Sequence, residues 1–417
     1  VCGGTHVAAT GQVDLLSATF GSTLDSSSDH LNAAPYPLPP GYAVDAAAEL
    51  KKVVGIPVIA AGRIIDPTQA EAILAEGTAD LIGMARGLFA DPEFPNKARE
   101  GRTDDIRKCL GYHDVCHGNR EGGGPITCVW NPSMGREKQL GIGTLRQARR
   151  KKKVLVVGGG PAGLKVAEVA ARRGHQVTLY EKGEELGGQI NLAIRLPFRD
   201  HLGEISSHLS NQLEKLGVDI KKRVEVTPET VMAANPDVLV VATGSIPFIP
   251  DIPGVHQDNV VTYWDVARDG GVKGQSVLIY DGVGHWAAGS IVELLAGQGK
   301  RVHMVTPHRT ILSLTSYETR YLWEQRIAGK DIVRITEHNV RAIRDGTVTL
   351  TNSLDTGEER SIEGIDTVVL AYGGTPNDTL YQALKDKLKA VRMVGDCEVP
   401  LRIERVMYSA ELLGRAL

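Results

Sequence analysis

Four apolar residues running into a glycine-dense turn constrain this chain more than any other feature: Val154-Leu155-Val156-Val157, then Gly158-Gly159-Gly160-Pro161-Ala162-Gly163. A buried parallel strand that turns directly into a helix calls for this composition. Gly158 permits the tight turn, Gly160 lets the backbone approach a pyrophosphate, and Gly163 lets helix and strand pack closely. Apolar periodicity predicts a helix over Leu164–Arg173 and a strand over Gln176–Tyr180 that ends at Glu181. The helix N-terminus would offer a phosphate its free N–H groups and the positive end of its dipole. Glu181, eighteen residues after Gly163, is placed to bind a ribose hydroxyl. The expectation is a dinucleotide-binding βαβ unit from Lys151 to Gly188.

A chain of 417 residues can bury several cores, which suits two or three domains. Its 47 Lys plus Arg nearly balance 50 Asp plus Glu, so nothing calls for nucleic acid or a membrane surface as partner. The basic run Arg149–Lys153 precedes an apolar strand and reads as a solvated linker. No apolar run approaches the roughly 18 residues of a membrane span. Val1-Cys2-Gly3-Gly4 lacks an initiator Met, a basic segment and an apolar segment. It is no signal peptide, and an N-terminal part is expected to be missing. Of five cysteines, Cys109, Cys116 and Cys128 fall within twenty residues. That clustering suggests a metal site in a reducing compartment, hence a cytoplasmic protein.

Before the glycine turn, Val13–Ala18, Pro57–Ala61 and Ala79–Met84 read as buried parallel strands, with a helix opened by Asp66-Pro67. These β/α units suit a doubly wound sheet or part of a (β/α)8 barrel, which three strands cannot close. Residues 105–150 have little periodicity. After it, three prolines within Pro247–Pro253 mark a linker, a further α/β unit starts at Val277, and Val391–Val394 returns to strand. One nucleotide domain is expected to have another inserted in it. Val277–Tyr280 is followed by Gly282, Gly284 and Ala287 at G-x-G-x-x-A spacing, which points to NAD(P)H. The next strand, Arg301–Val305, ends without an acid, and His308 and Arg309 are candidates for a 2′-phosphate. The cysteine spacings of seven and twelve suit an iron–sulfur cluster better than a zinc knuckle, with free buried thiols as the alternative.

Gly187-Gly188-Gln189, Val241-Ala242-Thr243-Gly244 and Gly395-Asp396, added to the first turn, resemble the FAD-binding pattern of the glutathione-reductase-like flavoproteins. That resemblance implies FAD at Gly158, Gly160, Ala162, Gly163, Glu181, Gly188, Gln189, Ala242 and Gly244, with Asp396 toward the ribitol. The segment Lys108–Cys116 and Cys128-Val129-Trp130-Asn131-Pro132 resembles the linker of the 2,4-dienoyl-CoA reductase and trimethylamine dehydrogenase family. Members join an old-yellow-enzyme-like FMN barrel, a four-cysteine 4Fe–4S cluster, and FAD and NAD(P) domains. The resemblance implies an α/β fold: the C-terminal part of a (β/α)8 barrel, then an FAD-binding Rossmann-like domain with an inserted NAD(P)-binding Rossmann-like domain. Its expected divisions are 1–108 (partial barrel), 109–150 (iron–sulfur loop and linker), 151–247 with 377–417 (FAD), and 248–376 (NAD(P)). Gly62, Arg63, Ala85 and Arg86 would hold the FMN phosphate.

Two departures stand out. Tyr112 occupies the place of the family's second cysteine, which leaves open three thiolates plus another ligand, a labile cluster, or none. His113 and His117 are nearby alternatives, expected at the surface. The usual catalytic residues belong to barrel strands absent from this sequence; His30, on a loop after a strand, is the one candidate substrate contact. The family implies a small-molecule substrate and a homo-oligomer. Gly282 and Gly284 favour a reductase that takes electrons from NAD(P)H through FAD, cluster and FMN to an activated C=C bond. Gly123-Gly124-Pro125-Ile126-Thr127-Cys128 and Val394–Pro400 look closer to amine dehydrogenases, which deliver electrons to a carrier protein. A non-catalytic flavin electron carrier is the third reading.

Overall fold

The computed structural model describes residues 13–21, 29–121, 123–354 and 357–417, so the opening Val1-Cys2-Gly3-Gly4 lies outside the described residues. The chain forms two compact units. The first comprises residues up to Gln139 together with Ser316–Leu322; the second comprises Leu140–Thr315 and Trp323–Leu417.

In the first unit, strands Leu16–Ala18, Val58–Ala60 and Leu81–Ile82 lie parallel in that order. They are shorter than the apolar runs that predict them, because the pairing stops where the chain turns: Asp80 accepts the Val58 N–H at 2.8 Å rather than extending the third strand. Helix Pro67–Ala75 starts where Asp66-Pro67 places it, the Asp66 carboxylate accepting the Thr68 N–H at 2.8 Å. Ala18, Ala47, Val58, Ala60, Ile64 and Ile73 form the core beneath these elements.

The second unit contains two five-stranded parallel sheets. The first runs, edge to edge, Val391–Met393, Val238–Val241, Lys153–Val157, Gln176–Tyr180 and Asp219–Lys221. Its central strands read as unbroken apolar runs because both faces are covered, and Val156, Leu239, Val240 and Val241 are wholly buried. Helix Pro161–Arg172 begins three residues before the predicted Leu164, since Pro161 loses no hydrogen bond at a first helical position. It packs against the closing helix Ile403–Ala416. The second sheet orders Ile332–Ile335, Arg301–Val305, Ser276–Asp281, Thr367–Ala371 and Val260–Thr262. An antiparallel sheet of His338–Arg344, Thr347–Asn352 and Glu359–Ile362 shares its core through Leu278, Val305, Ile343, Val348, Leu350 and Val368. The chain leaves the first sheet and returns to it through one antiparallel pair, Ser245–Pro247 with Gly374–Pro376. No helix among the described residues is long and apolar enough to cross a membrane.

Candidate functional site

The first glycine turn is packed tightly at two glycines and open at the third. A Cβ on Gly158 would lie 2.2 Å from the Ala242 carbonyl oxygen, and one on Gly163 only 1.9 Å from that of Gly158. At Gly160 the nearest atom to such a Cβ is the Gly188 Cα, 3.9 Å away. The fold thus seals helix and strand together while leaving space where a pyrophosphate would approach. Glu181 stands at the rim: its Oε2 accepts the Gly159 N–H and its Oε1 the Gly183 N–H, both at 2.7 Å. Three segments far apart in sequence meet nearby. Asp396 Oδ2 accepts from Gln189 Nε2 at 3.0 Å and from Ser245 Oγ at 3.4 Å, and Oδ1 accepts the Leu401 N–H at 3.2 Å. Burial raises the Asp396 carboxyl above its usual range, these hydrogen bonds opposing it. Ser245, which no motif marks, completes this group. The open space at Gly160 and the polar group around Asp396 fit an extended dinucleotide with a hydroxylated linker.

The second glycine turn differs. Strand register places Tyr280 level with Val305 as Val157 is level with Tyr180. Asp281, not Gly282, therefore occupies the position of Gly158. The helix Trp286–Gly297 starts five residues beyond Asp281, whereas Pro161 starts three beyond Gly158, so the turn is two residues longer. Asp281 Oδ1 accepts the N–H groups of Val283 at 3.1 Å and Gly284 at 2.7 Å. Asp281 is buried, and burial raises its carboxyl above the ordinary range. The Tyr372 ring lies against Gly282, where a Cβ would come within 2.4 Å, and Ser313 Oγ is equally close to a Cβ on Gly284. Gly282 and Gly284 thus belong to a filled turn, Ala287 to the first turn of the helix. Arg309 is exposed beside Glu337, 3.5 Å away.

In the first unit, Gly62, Arg63, Ala85 and Arg86 line a cleft of about 300 Å³ together with Cys109 and Cys116. Both arginines are partly committed to main-chain carbonyls. Arg63 Nη1 donates to Tyr36 O at 2.8 Å and to Leu38 O; Arg86 Nη1 donates to Ala34 O at 2.7 Å. A guanidinium presents five N–H donors in a planar fork, the geometry that phosphate recognition uses. His30 departs from expectation: it sits in the short helix Asp29–Asn32, buried, with its ring 5.2 Å from that of Tyr321. Asn32 and Ala33, not His30, line the cleft.

The three cysteines are brought together. Cys109 couples electrostatically to both Cys116 and Cys128, and burial pushes the Cys116 thiol up to about 12 and the Cys128 thiol upward as well. Cys109 Sγ accepts the Gly111 N–H at 3.4 Å, and the Trp130 and Asn131 N–H groups point at Cys128. Buried thiolates need a compensating cation, and N–H donors aimed at sulfur are what an iron–sulfur centre takes from its protein. This donor set fits such a centre on three sides.

His113 and His117 are not surface residues. His113 is 1 % exposed, and its ring stacks on that of His117 at 4.9 Å. Between them lies Glu318, wholly buried, 2.5 Å from His117 Nδ1 and 3.7 Å from His113 Nδ1. Two histidines and a carboxylate at this spacing resemble a metal site. Arg86 argues otherwise: its Nη1 lies 2.9 Å from His113 Nε2 and can only donate. Nε2 therefore accepts, and the neutral ring carries its proton on Nδ1, facing Glu318, where a metal would need a lone pair. Burial holds the His113 ring down to about 4, so it stays neutral. The group is a hydrogen-bonded brace on Arg86.

A flavin-type barrel segment, an open dinucleotide turn and a second, inserted nucleotide-type sheet define a flavin- and pyridine-nucleotide-class oxidoreductase fold. Residues 15–105 match the NADH:flavin oxidoreductase / NADH oxidase family, and residues 152–396 the pyridine nucleotide-disulphide oxidoreductases. The chain belongs to the 2,4-dienoyl-CoA reductase and trimethylamine dehydrogenase family. It is 38% identical over 375 residues to an NADH oxidase of Thermoanaerobacter brockii, covering 85% of this chain and 54% of that protein. It is 35% identical over 396 residues to the N,N-dimethylglycine/sarcosine dehydrogenase of Chromohalobacter salexigens, covering 91% and 56%. Among solved structures, a 2-naphthoyl-CoA reductase in complex with 2-naphthoyl-CoA superposes with a TM-score of 0.88 at 30% identity, covering 97% of this chain and 60% of that one. The chain thus spans a little over half the length of these relatives.

Proposed function

We propose that this chain forms the electron-transfer portion of a flavin enzyme that oxidises a small methylated amine at FMN and passes the electrons out to a carrier protein. The contrast between the two glycine turns carries the reading. Space is open at Gly160, whereas the Asp281 carboxyl already takes the N–H groups of the second turn and Tyr372 covers Gly282. A phosphate there would face a buried acid that already holds two of the turn's N–H groups. Electrons that do not enter from a nicotinamide at this turn must enter from the substrate. Flavin supplies the two-electron acceptor chemistry: the amine's N–CH₃ loses two electrons and a proton, and water hydrolyses the resulting iminium to an aldehyde and the demethylated amine.

In this reading Gly62, Arg63, Ala85 and Arg86 hold the FMN phosphate, with Arg86 steadied by His113. Cys109, Cys116 and Cys128 hold the iron–sulfur centre. Gly160 faces the FAD pyrophosphate, Glu181 a ribose, and Asp396 with Gln189 and Ser245 the ribitol. The likeness to an NADH oxidase supports a second reading, in which NAD(P)H reduces FAD and the electrons run to an activated C=C bond at FMN. Anaerobic stopped-flow spectroscopy separates the two. With the protein saturated with FMN, flavin bleaching by dimethylamine or sarcosine, and not by NADH or NADPH, is the expected result. Fast bleaching by a nicotinamide nucleotide alone would replace it with the reductase reading, and bleaching by none of these donors would leave a non-catalytic carrier.

A further inference from the structure

The proposed iron–sulfur centre has a corner without a cysteine, and the backbone fixes which residue stands there. Gly111, with φ +68°, is pressed against Tyr36, whose N–H donates to the Gly111 carbonyl at 3.0 Å. On the other side, residues His113–Val115 form one tight turn. The Thr127 N–H donates to Val115 O at 3.1 Å, and the buried Asp114 accepts the Ser316 N–H at 2.9 Å. Tyr112 is clamped between these anchors, and its carbonyl oxygen faces the Cys116 thiol at 3.9 Å. The loop therefore cannot slide to bring a different side chain to that place. His113, the nearest imidazole in sequence, is committed to Arg86 through Nε2 and faces Glu318 through Nδ1.

We infer that the chain holds its cluster by the thiolates of Cys109, Cys116 and Cys128 alone, with the fourth corner at Tyr112 holding an exchangeable iron. This rests on the iron–sulfur reading above. A phenol loses its proton near pH 10, a thiol nearer 8.5, so at neutral pH Tyr112 competes poorly for a ferrous ion. One thiolate fewer also makes the cluster less negative, which raises its reduction potential and suits it to accept electrons from a flavin. The step that exposes the corner balances simply. A one-electron oxidant such as ferricyanide takes an electron from the cubane, one Fe²⁺ leaves, and a three-iron cluster of charge +1 remains from a four-iron cluster of charge +2.

The test loads the purified full chain anaerobically with ferrous and ferric iron in equal amounts and sulfide, then treats it with ferricyanide. Iron content and low-temperature electron paramagnetic resonance are read before and after. Wild type is expected to fall from about four irons to about three and to show the near-isotropic three-iron signal, reversed by added Fe²⁺ together with one electron from dithionite. Tyr112→Cys is expected to keep all its iron, and Tyr112→Phe to behave as wild type. Wild type that keeps its iron as firmly as Tyr112→Cys would overturn the inference, since another protein ligand must then fill the corner; so would a Tyr112→Phe variant that loses iron faster than wild type. If neither wild type nor Tyr112→Cys takes up iron, the iron–sulfur reading itself fails, and the inference with it.

Discussion

Two glycines three residues apart, Gly160 and Gly163, separate folding from binding. Gly163 has no room for a Cβ, and Gly160 has room that the protein itself does not use. Gly163→Ala must push helix Pro161–Arg172 off its strand, an overpacking cost of about 1–3 kcal/mol or more. Gly160→Ala should leave the melting temperature within about 1 °C of wild type, since no packing changes, yet place a methyl group where the pyrophosphate approaches. The expected pattern is lost flavin retention in both variants, with lost stability only in Gly163→Ala. Calorimetry of the flavin-free proteins alongside equilibrium flavin titration measures it; a Gly160→Ala chain that holds FAD normally would remove Gly160 from the site. Residues such as these were legible because the turn's steric demand falls on glycine and on nothing else. Asp281 was not: Gly282 and Gly284 imitate the motif's spacing, and only the strand register reveals that the acid stands where a glycine should. Glu318 was invisible for a different reason. Its partners His113 and His117 lie some two hundred residues away, and a lone Glu in a helix carries no local signal of burial.

At the level of elements, the pairing of helix Pro161–Arg172 with helix Ile403–Ala416 depends on a buried ion network. Lys165 Nζ lies 2.9 Å from both Glu168 and Glu411, and Glu411 also meets Arg415 Nε at 2.5 Å. Burial alone would raise the Glu411 carboxyl, but Lys165 and Arg415 outweigh it and hold it below the usual range. A depressed native pKa contributes stability that is present above the unfolded value, near 4.3, and is lost as pH falls through the native one. Lys165→Met keeps the volume and removes the ammonium that two buried carboxylates share, leaving Glu168 to Arg172 and Glu411 to Arg415, a loss of about 1.5–3 kcal/mol at neutral pH that shrinks as acid protonates them. Denaturant midpoints of wild type and Lys165→Met should therefore keep their gap from pH 7 to about pH 5 and converge as pH falls below about 4.3, and a gap that stays constant in acid would mean that the lysine acts through packing alone. Element boundaries were legible to within a few residues wherever one physical signal dominated: Pro161 and Asp66-Pro67 at helix starts, unbroken valines in central strands. The short strand Val391–Met393 was readable as strand, but its place beside Val238–Val241 follows only from the inserted sheet closing back on itself.

For the whole molecule, the two proposed flavin sites are unequally built. The FAD site draws on segments around Gly160, Glu181, Gln189, Ser245 and Asp396, all anchored to one five-stranded sheet inside one unit. The approach at Gly160 is open, and Glu181 and Asp396 are held in place by hydrogen bonds within that unit. The residues proposed for FMN stand at the ends of two strands in a three-stranded parallel sheet, where about eight would close a barrel. There Arg63 and Arg86 already donate to Tyr36, Leu38 and Ala34, so a phosphate must share them with carbonyl groups. Preorganisation favours FAD, because a ligand that must reorganise its site loses that free energy from its affinity. The 417-residue chain, expressed and purified as such, should therefore retain about one FAD and clearly substoichiometric FMN. Heat release of the flavins and chromatographic separation of the two nucleotides gives the ratio directly. FMN at parity with FAD would mean that three strands and two arginines already make a complete phosphate site. In that case the carbonyl contacts of Arg63 and Arg86 would be its scaffold rather than its competitors.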